Sequence, residues 1–189
     1  MTTEKTILAL SGSLRAKSFN RAALQACAEL TPRGFQIEIA SIGALPLYNS
    51  DLDSEDGLRP VEQFRKAITE ADAVLIATPE YNYGIPGVLK NALDWASRPA
   101  YASPFQLKPV AILGATQSSV GTARAQGHLK NVLLGMVAAL FPYPEVLIAS
   151  AHKRFDKNLV LTDEDTRNVL SRMLFAYSKW IDRIQLEPF

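Results

Sequence analysis

Residues 7–20 read ILALSGSLRAKSFN, a short apolar run followed by small polar residues. The apolar run 7–10 ends abruptly in the small polar residues 11–13, and a helical pattern begins after Ser18. Such a loop brings hydroxyls and backbone N–H groups to the positive end of a helix dipole, which is typical of an anion site, most often for phosphate. Ser18 and Asn20 are also good N-cap residues, so helix capping without a ligand is the alternative.

Strand-like and helix-like segments alternate along the rest of the chain. Short apolar runs predict buried strands, and apolar residues near a 3.6-residue period predict helices. The predicted strands are 6–10, 35–39, 73–77, 110–114 and 145–149; the predicted helices are 19–31, about 58–70, the segment after Pro86, about 122–140, and a last one that Thr162-Asp163-Glu164-Asp165 caps and that runs to about 184. This alternation predicts one α/β domain over residues 1–189, a five-stranded parallel sheet with helices on both faces.

Composition narrows the class of protein. The 189 residues are 48% hydrophobic and 21% charged, with a formal net charge of +1, which argues against nucleic acid and anionic membranes as partners. No apolar run is long enough for membrane insertion, and the polar N-terminus does not resemble a signal peptide. The single cysteine, Cys27, excludes an internal disulfide and fits a reducing compartment, so we expect a cytoplasmic protein.

Three polar loops, 11–20, 78–86 and 115–122, follow predicted strands. The strands of a parallel sheet end at one edge, and ligands lie in the crevice beyond their carboxyl ends. We therefore expect the three loops to meet around a single ligand.

The first two loops offer different chemistry. Arg15 could hold a phosphate through two parallel hydrogen bonds, although a solvated surface arginine is the alternative. In the second loop, Tyr81 and Tyr83 give flat surfaces and Asn82 allows a turn that aims N–H groups at a planar ring. The alternative is a turn whose tyrosines close the core. We interpret Glu80 as a solvated or interface charge rather than a catalytic acid, because no paired acid or base is visible.

The third loop offers Thr116, Gln117 and Ser118 to the other edge of such a ring. A phosphate at one end and a flat ring at the other describe a mononucleotide with an unusual base. The dinucleotide fingerprint G-x-G-x-x-G is absent, and Ser11 and Ala16 stand where a triphosphate-binding loop needs its two glycines.

Two motifs carry a family resemblance: Gly12-Ser13-Leu14-Arg15 with Ser18 and Asn20, and Pro79-Glu80-Tyr81-Asn82-Tyr83 with Gly87, Leu89-Lys90-Asn91-Ala92 and Asp94-Trp95. Together they resemble the NADPH-dependent FMN reductase family of the flavodoxin-like fold, near the bacterial quinone reductases also called chromate reductases and their azoreductase relatives. The likeness covers roughly residues 5–150.

The resemblance implies a three-layer flavodoxin-like sandwich with strand order 2-1-3-4-5 and non-covalent FMN. It also implies a homodimer or homotetramer, with the helix after Pro86 and the fourth helix at interfaces. The implied FMN contacts are Ser11, Ser13, Leu14, Arg15, Ser18, Phe19 and Asn20 at the phosphate and ribityl end, Pro79, Glu80, Tyr81, Asn82 and Tyr83 along the isoalloxazine, and Thr116, Gln117 and Ser118 at its pyrimidine end.

The resulting hypothesis is an oxidoreductase that transfers hydride from NAD(P)H through FMN to quinones, with chromate and azo compounds as side substrates. No catalytic side chain and no metal are expected, because the chemistry belongs to the cofactor. The alternatives are a flavin reductase that supplies reduced FMN to a partner and a non-catalytic FMN-binding electron carrier.

Three further features have structural interpretations. Cys27 fits a core position on an apolar helix face. Trp95 fits helix packing, with coverage of a neighbouring subunit's site as the alternative. The segment from Leu45 to Gly57 is either a lid or a surface loop.

Overall fold

The strands form one sheet in which neighbours run parallel. The computed structural model describes residues 4–54 and 57–184. Its strands are β1 (Lys5–Ser11), β2 (Phe35–Ala40), β3 (Ala73–Ala77), β4 (Pro109–Ala115), β5 (Ala139–Leu140) and β6 (Val146–Ile148). The order is β2-β1-β3-β4-β5, and β6 also pairs with β4. The flavodoxin-like order is confirmed.

The register of the central strands brings their carboxyl ends to one edge. Ser11 at the end of β1 lies beside Ala77 at the end of β3, and Ala77 lies beside Leu113 in β4. All five residues of β3 are buried, because the sheet is covered on both faces, and this explains the unbroken apolar run. The loops after β1, β3 and β4 therefore start side by side.

The predicted strand 145–149 is present as β6, but an additional short strand, β5, precedes it, so the described sheet has six strands rather than five. β5 pairs with Pro109 and Val110 at the start of β4, whereas β6 pairs with residues 113–115 at its end. Pro142 and Pro144 lie between them, and proline has no N–H to continue a ladder of hydrogen bonds. The prediction of helix through residue 140 was wrong, since the fourth helix ends at Gly135 and residues 139–140 form β5.

Helices cover the sheet on both faces, which confirms the three layers. The described residues form α1 (Phe19–Glu29), α2 (Arg59–Glu70), α3 (Gly87–Ala96), α4 (Ala123–Gly135) and α5 (Glu164–Arg183), with short 3-10 turns at Ser50–Leu52 and Ala151–Lys153. α1 and α5 share one hydrophobic core with one face of the sheet, and α2, α3 and α4 share the other. Nowhere in the ranges 4–54 and 57–184 is a helix both long and apolar enough to cross a membrane.

Residues 45–54, which we call the strap, run over α3. The carbonyl of Pro46 accepts hydrogen bonds from Asn91 Nδ2 and Trp95 Nε1, each at 2.8 Å, and Tyr48 N donates to Asn91 Oδ1 at 2.7 Å. Trp95 is fully buried, which confirms its packing role. The strap is thus fixed to α3, while residues 55 and 56 of the predicted irregular segment lie outside the described residues.

Candidate cofactor site

Two adjoining clefts lie at the carboxyl edge of the sheet, where the three polar loops meet. The smaller has a volume of about 170 Å³ and the larger about 510 Å³, and Glu80 and Thr116 line both. The smaller cleft is lined by Ser13, Arg15, Ser18, Phe19, Asn20, Pro79, Glu80, Tyr81, Ala115, Thr116 and Gln117, and the larger by Glu80, Asn82, Tyr83, Thr116, Ser118, Gly121 and Arg124. The predicted convergence of the loops is therefore confirmed.

The first loop folds tightly over the N-terminus of α1. Ser11 Oγ accepts from Ser13 N at 3.3 Å, and Ser13 Oγ accepts from Arg15 N at 3.4 Å. Ser18 caps α1 by accepting from Arg21 N at 3.2 Å and also lines the smaller cleft, so the capping interpretation is correct for Ser18. It is wrong for Asn20, which lies within the helix. Capping and ligand binding are thus compatible here, because both use the same end of the helix.

Asn20 ties the first loop to the third. Its side-chain amide donates to the carbonyl of Ala115 at 2.8 Å and accepts from Ala115 N at 2.9 Å. The amide therefore imitates a peptide group and pairs with the last residue of β4. Asn20 is only 3% exposed, so its main contribution is to hold the smaller cleft together.

The second loop is a tight two-residue turn. Tyr81 and Gly84 exchange two backbone hydrogen bonds of 3.0 Å, and the residues between them, Asn82 and Tyr83, have left-handed φ values of 50° and 66°. Tyr81 is 49% and Tyr83 71% exposed, so the idea that these tyrosines close the core is wrong. Tyr81 lines the smaller cleft and Tyr83 the larger, so a ligand in either cleft can contact an aromatic ring.

Glu80 is not the solvated charge that the sequence suggested. Its side chain is only 7% exposed and pairs with the guanidinium of Arg124. Its carboxylate also accepts from Arg124 N at 3.1 Å and Ala125 N at 3.2 Å. Glu80 therefore acts as a remote N-cap of α4, where a negative charge also suits the helix dipole. The partners lie 44 residues away, which a local motif cannot reveal.

The third loop is held from below by the segment after β6. Thr116 N donates to the carbonyl of Ile148 at 3.0 Å, and Ser150 N donates to the carbonyl of Ser118 at 3.0 Å. Thr116 faces both clefts, while Gln117 lines the smaller and Ser118 the larger. The loop thus lines both clefts together with the second loop.

Most of the predicted contact residues come together here. Ser11 lies behind the first loop, where it is 7% exposed and supports Ser13, and Leu14 packs beside Gly43 outside the lining of either cleft. The lining residues that sequence reasoning left out of the site are Ala115, Gly121 and Arg124. Arg124 is the second residue of α4, directly after the third loop. This position in the sequence could have indicated that Arg124 belongs to the site. Within the described parts of the chain, no cluster of His, Cys, Asp and Glu could hold a metal ion.

Comparison with known proteins identifies the family. Residues 6–153 match the sequence model of the NADPH-dependent FMN reductase family. The chain belongs to this family. An NAD(P)H-dependent FMN reductase of Pseudomonas aeruginosa is 46% identical over 185 residues, which span 98% of this chain and 100% of that protein. A 2-hydroxy-1,4-benzoquinone reductase from Burkholderia sp. is 43% identical and spans 93% of this chain and 95% of that protein.

A solved structure agrees with these relatives. The flavoenzyme NAD(P)H:(acceptor) oxidoreductase FerB from Paracoccus denitrificans is 35% identical, and the two structures superpose with a TM-score of 0.88. The match covers 96% of this chain and 100% of FerB. The chain is therefore an oxidoreductase of the FMN reductase family with a flavodoxin-like fold.

The polar and aromatic groups that line the two clefts fit FMN, the cofactor after which the family is named. The smaller cleft combines serine hydroxyls and the guanidinium of Arg15 at the N-terminus of α1, which is the chemistry that a phosphate requires. The larger cleft is lined by the exposed Tyr83 and by polar groups of the third loop, and the exposed Tyr81 lines the adjoining smaller cleft. Groups that suit a phosphate and groups that suit a planar ring thus lie in adjoining clefts, and this donor set fits FMN.

Proposed function

We propose that the chain is a single FMN-binding domain that uses NAD(P)H to reduce quinones. The observation that carries the proposal is that a phosphate-type cleft adjoins a larger cleft, with the exposed Tyr81 lining the first and the exposed Tyr83 lining the second. The net reaction converts NAD(P)H, a quinone and a proton into NAD(P)⁺ and a quinol. Chromate and azo compounds are proposed as side substrates.

We assign Arg15, Ser13 and Ser18 as the residues that bind the phosphate of FMN, with Phe19 lining the cleft next to it. Arg15 is exposed at the rim of the smaller cleft, and no carboxylate within residues 4–54 and 57–184 pairs with it. Its guanidinium is therefore available to an anion. Ser11 and Asn20 stabilise this cleft indirectly: Ser11 accepts a hydrogen bond from Ser13 N, and Asn20 donates one to the carbonyl of Ala115.

At the ring end, we assign residues 79–83 to one side of the isoalloxazine and residues 116–118 to its pyrimidine end. When bound, FMN would accept a hydride from a nicotinamide and pass it to an acceptor. The chain orients the ring with the turn at Asn82 and Tyr83, and the third loop offers the polar side chains of residues 116–118. We assign no catalytic side chain.

Quinones are the acceptors that the comparisons favour. One relative is named for its action on 2-hydroxy-1,4-benzoquinone, and other relatives are named quinone reductases. The formal net charge of +1 argues against an electron carrier, since such proteins commonly use a strong charge to steer toward partners. A flavin reductase that releases reduced FMN is the second candidate.

Purified protein tests the proposal and separates the candidates. We expect a yellow protein that keeps FMN through desalting and oxidises NAD(P)H rapidly only when a quinone is present. Addition of excess FMN should raise the rate little. A colourless protein that refuses added FMN would overturn the proposal, and a rate that follows free FMN rather than quinone would favour the flavin reductase.

We further propose a cytoplasmic homodimer or homotetramer. The lone, buried Cys27 needs no oxidising compartment. Apolar side chains remain exposed on and near α4, among them Leu134 at 68% and Val120 at 59%, which is consistent with an interface along α4. Light scattering after size exclusion would measure the number of subunits, and a monomer at micromolar concentration would contradict the assembly.

A further inference from the structure

The larger cleft contains one pair of opposite charges. Of its lining residues, Glu80 is acidic and Arg124 is basic, and they form an ion pair with each other. The guanidinium also lies over the ring of Tyr83, with its central carbon 3.9 Å from the ring centroid. Arg124 therefore connects the turn of the second loop to α4.

The two charges differ in how far they are open to a ligand. The side chain of Arg124 is 47% exposed, whereas that of Glu80 is 7% exposed. Glu80 holds its position with two further hydrogen bonds from backbone N–H groups of α4. A molecule that enters the cleft therefore contacts Arg124 before Glu80. The charge of Arg124 is already compensated by the more buried carboxylate of Glu80.

We propose that Glu80 determines which acceptors the cleft accepts, by cancelling the charge of Arg124. The pair makes the cleft nearly neutral, so an uncharged quinone is bound as well as an anionic one. Without the carboxylate, Arg124 would become an anion site at the mouth of the cleft. This inference rests on the proposed function, because it assumes that the acceptor enters the larger cleft.

The variant that tests this is Glu80→Gln. The amide oxygen can still accept hydrogen bonds from the α4 backbone, while the negative charge is lost. The FMN-loaded protein is titrated with naphthalene-2-sulfonate and with uncharged naphthalene-2-sulfonamide, which are similar in shape and are not reduced. We expect the affinity ratio of sulfonate to sulfonamide to rise about 2- to 5-fold, the size typical of a partly exposed charge pair.

Arg124→Gln and the double variant complete the cycle. Arg124→Gln leaves the carboxylate uncompensated, so the ratio should fall below that of the wild type. The double variant removes both charges and should return the ratio to the wild-type value. The same order should appear in kcat/KM for 1,4-naphthoquinone-2-sulfonate relative to 1,4-naphthoquinone, and it should weaken as salt is added.

The outcomes are distinct. An unchanged ratio in Glu80→Gln that still holds FMN would overturn the inference and leave the proposed function intact. If Glu80→Gln loses FMN, the ratio in Arg124→Gln decides, and a value equal to that of the wild type overturns the inference. A wild-type protein that neither binds FMN nor reduces either quinone would overturn the proposed function itself.

Discussion

At the scale of single residues, the same polar side chains build the site and stabilise the fold. Ser18 caps α1 and lines the smaller cleft, and Glu80 caps α4 and lines both clefts. The residue types at these positions could be predicted to lie near a ligand. Their partners could not, because Asn20 and Ala115 are 95 residues apart and no local pattern reports such a contact.

Replacement of Asn20 by Ala should lower the free energy of unfolding by roughly 2–3 kcal/mol, because two buried backbone groups of Ala115 would lose their partner. Urea unfolding of the FMN-free protein measures this. Asn131→Ala is the matched control, since Asn131 is exposed on α4, and it should change stability by less than about 0.5 kcal/mol. Equal effects of the two changes would contradict the bridging role of Asn20.

The thiol of Cys27 should be inert in the native protein. Burial raises its pKa to about 12, because the thiolate would be cut off from water. Iodoacetamide at pH 8.5 should therefore label Cys27 only after unfolding, when the pKa returns toward its usual value of about 8.5. Mass spectrometry in native and denaturing buffer measures both rates. Native labelling as fast as that of a free cysteine would show that this core opens readily.

At the scale of elements, the central strands and most helices follow from apolar runs and periodicity. The fourth helix was predicted too long, because the apolar residues 136–140 continue a helical pattern beyond Gly135. The chain turns instead at Val137, which has a left-handed φ of 59° that a β-branched residue rarely adopts. A contact between distant residues stabilises this turn, because Leu107 N donates a hydrogen bond of 2.8 Å to the carbonyl of Val137.

The strap should make stability depend on pH through Asp53. The two hydrogen bonds of 2.8 Å from Arg65 lower the pKa of Asp53 in the folded protein. Its contribution to stability is therefore present above the unfolded pKa near 3.9 and is lost as pH falls through the lower folded value. Asp53→Asn should cost about 1 kcal/mol at pH 7 and progressively less below pH 4.

Paired denaturant titrations of the wild type and Asp53→Asn between pH 7 and pH 2.5 would measure this dependence. Asp51→Asn is a suitable control, because Asp51 lies in the same strap but is exposed. A stability difference that stays constant across this range would contradict the pairing of Asp53 with Arg65.

At the scale of the whole molecule, topology explains why one site could be predicted from three separate loops. β1, β3 and β4 are adjacent and parallel, so the loops that follow them must meet at one edge. The sequence did not reveal the division of that edge into two clefts. Glu80 lines both clefts and reaches across to α4, a contact between distant residues that no local pattern reports.

The most direct test compares FMN with riboflavin, which has the same ring but no phosphate. Calorimetric titration of the FMN-free wild type should show one FMN per chain, bound at least about 10-fold more tightly than riboflavin, because charge-assisted hydrogen bonds from Arg15 contribute roughly 1.5–3 kcal/mol. Arg15→Ala should lose most of this preference, while Lys17→Ala, a change at an exposed neighbour, should keep it. Equal affinity of the wild type for both ligands, or an undiminished preference in Arg15→Ala, would contradict the account.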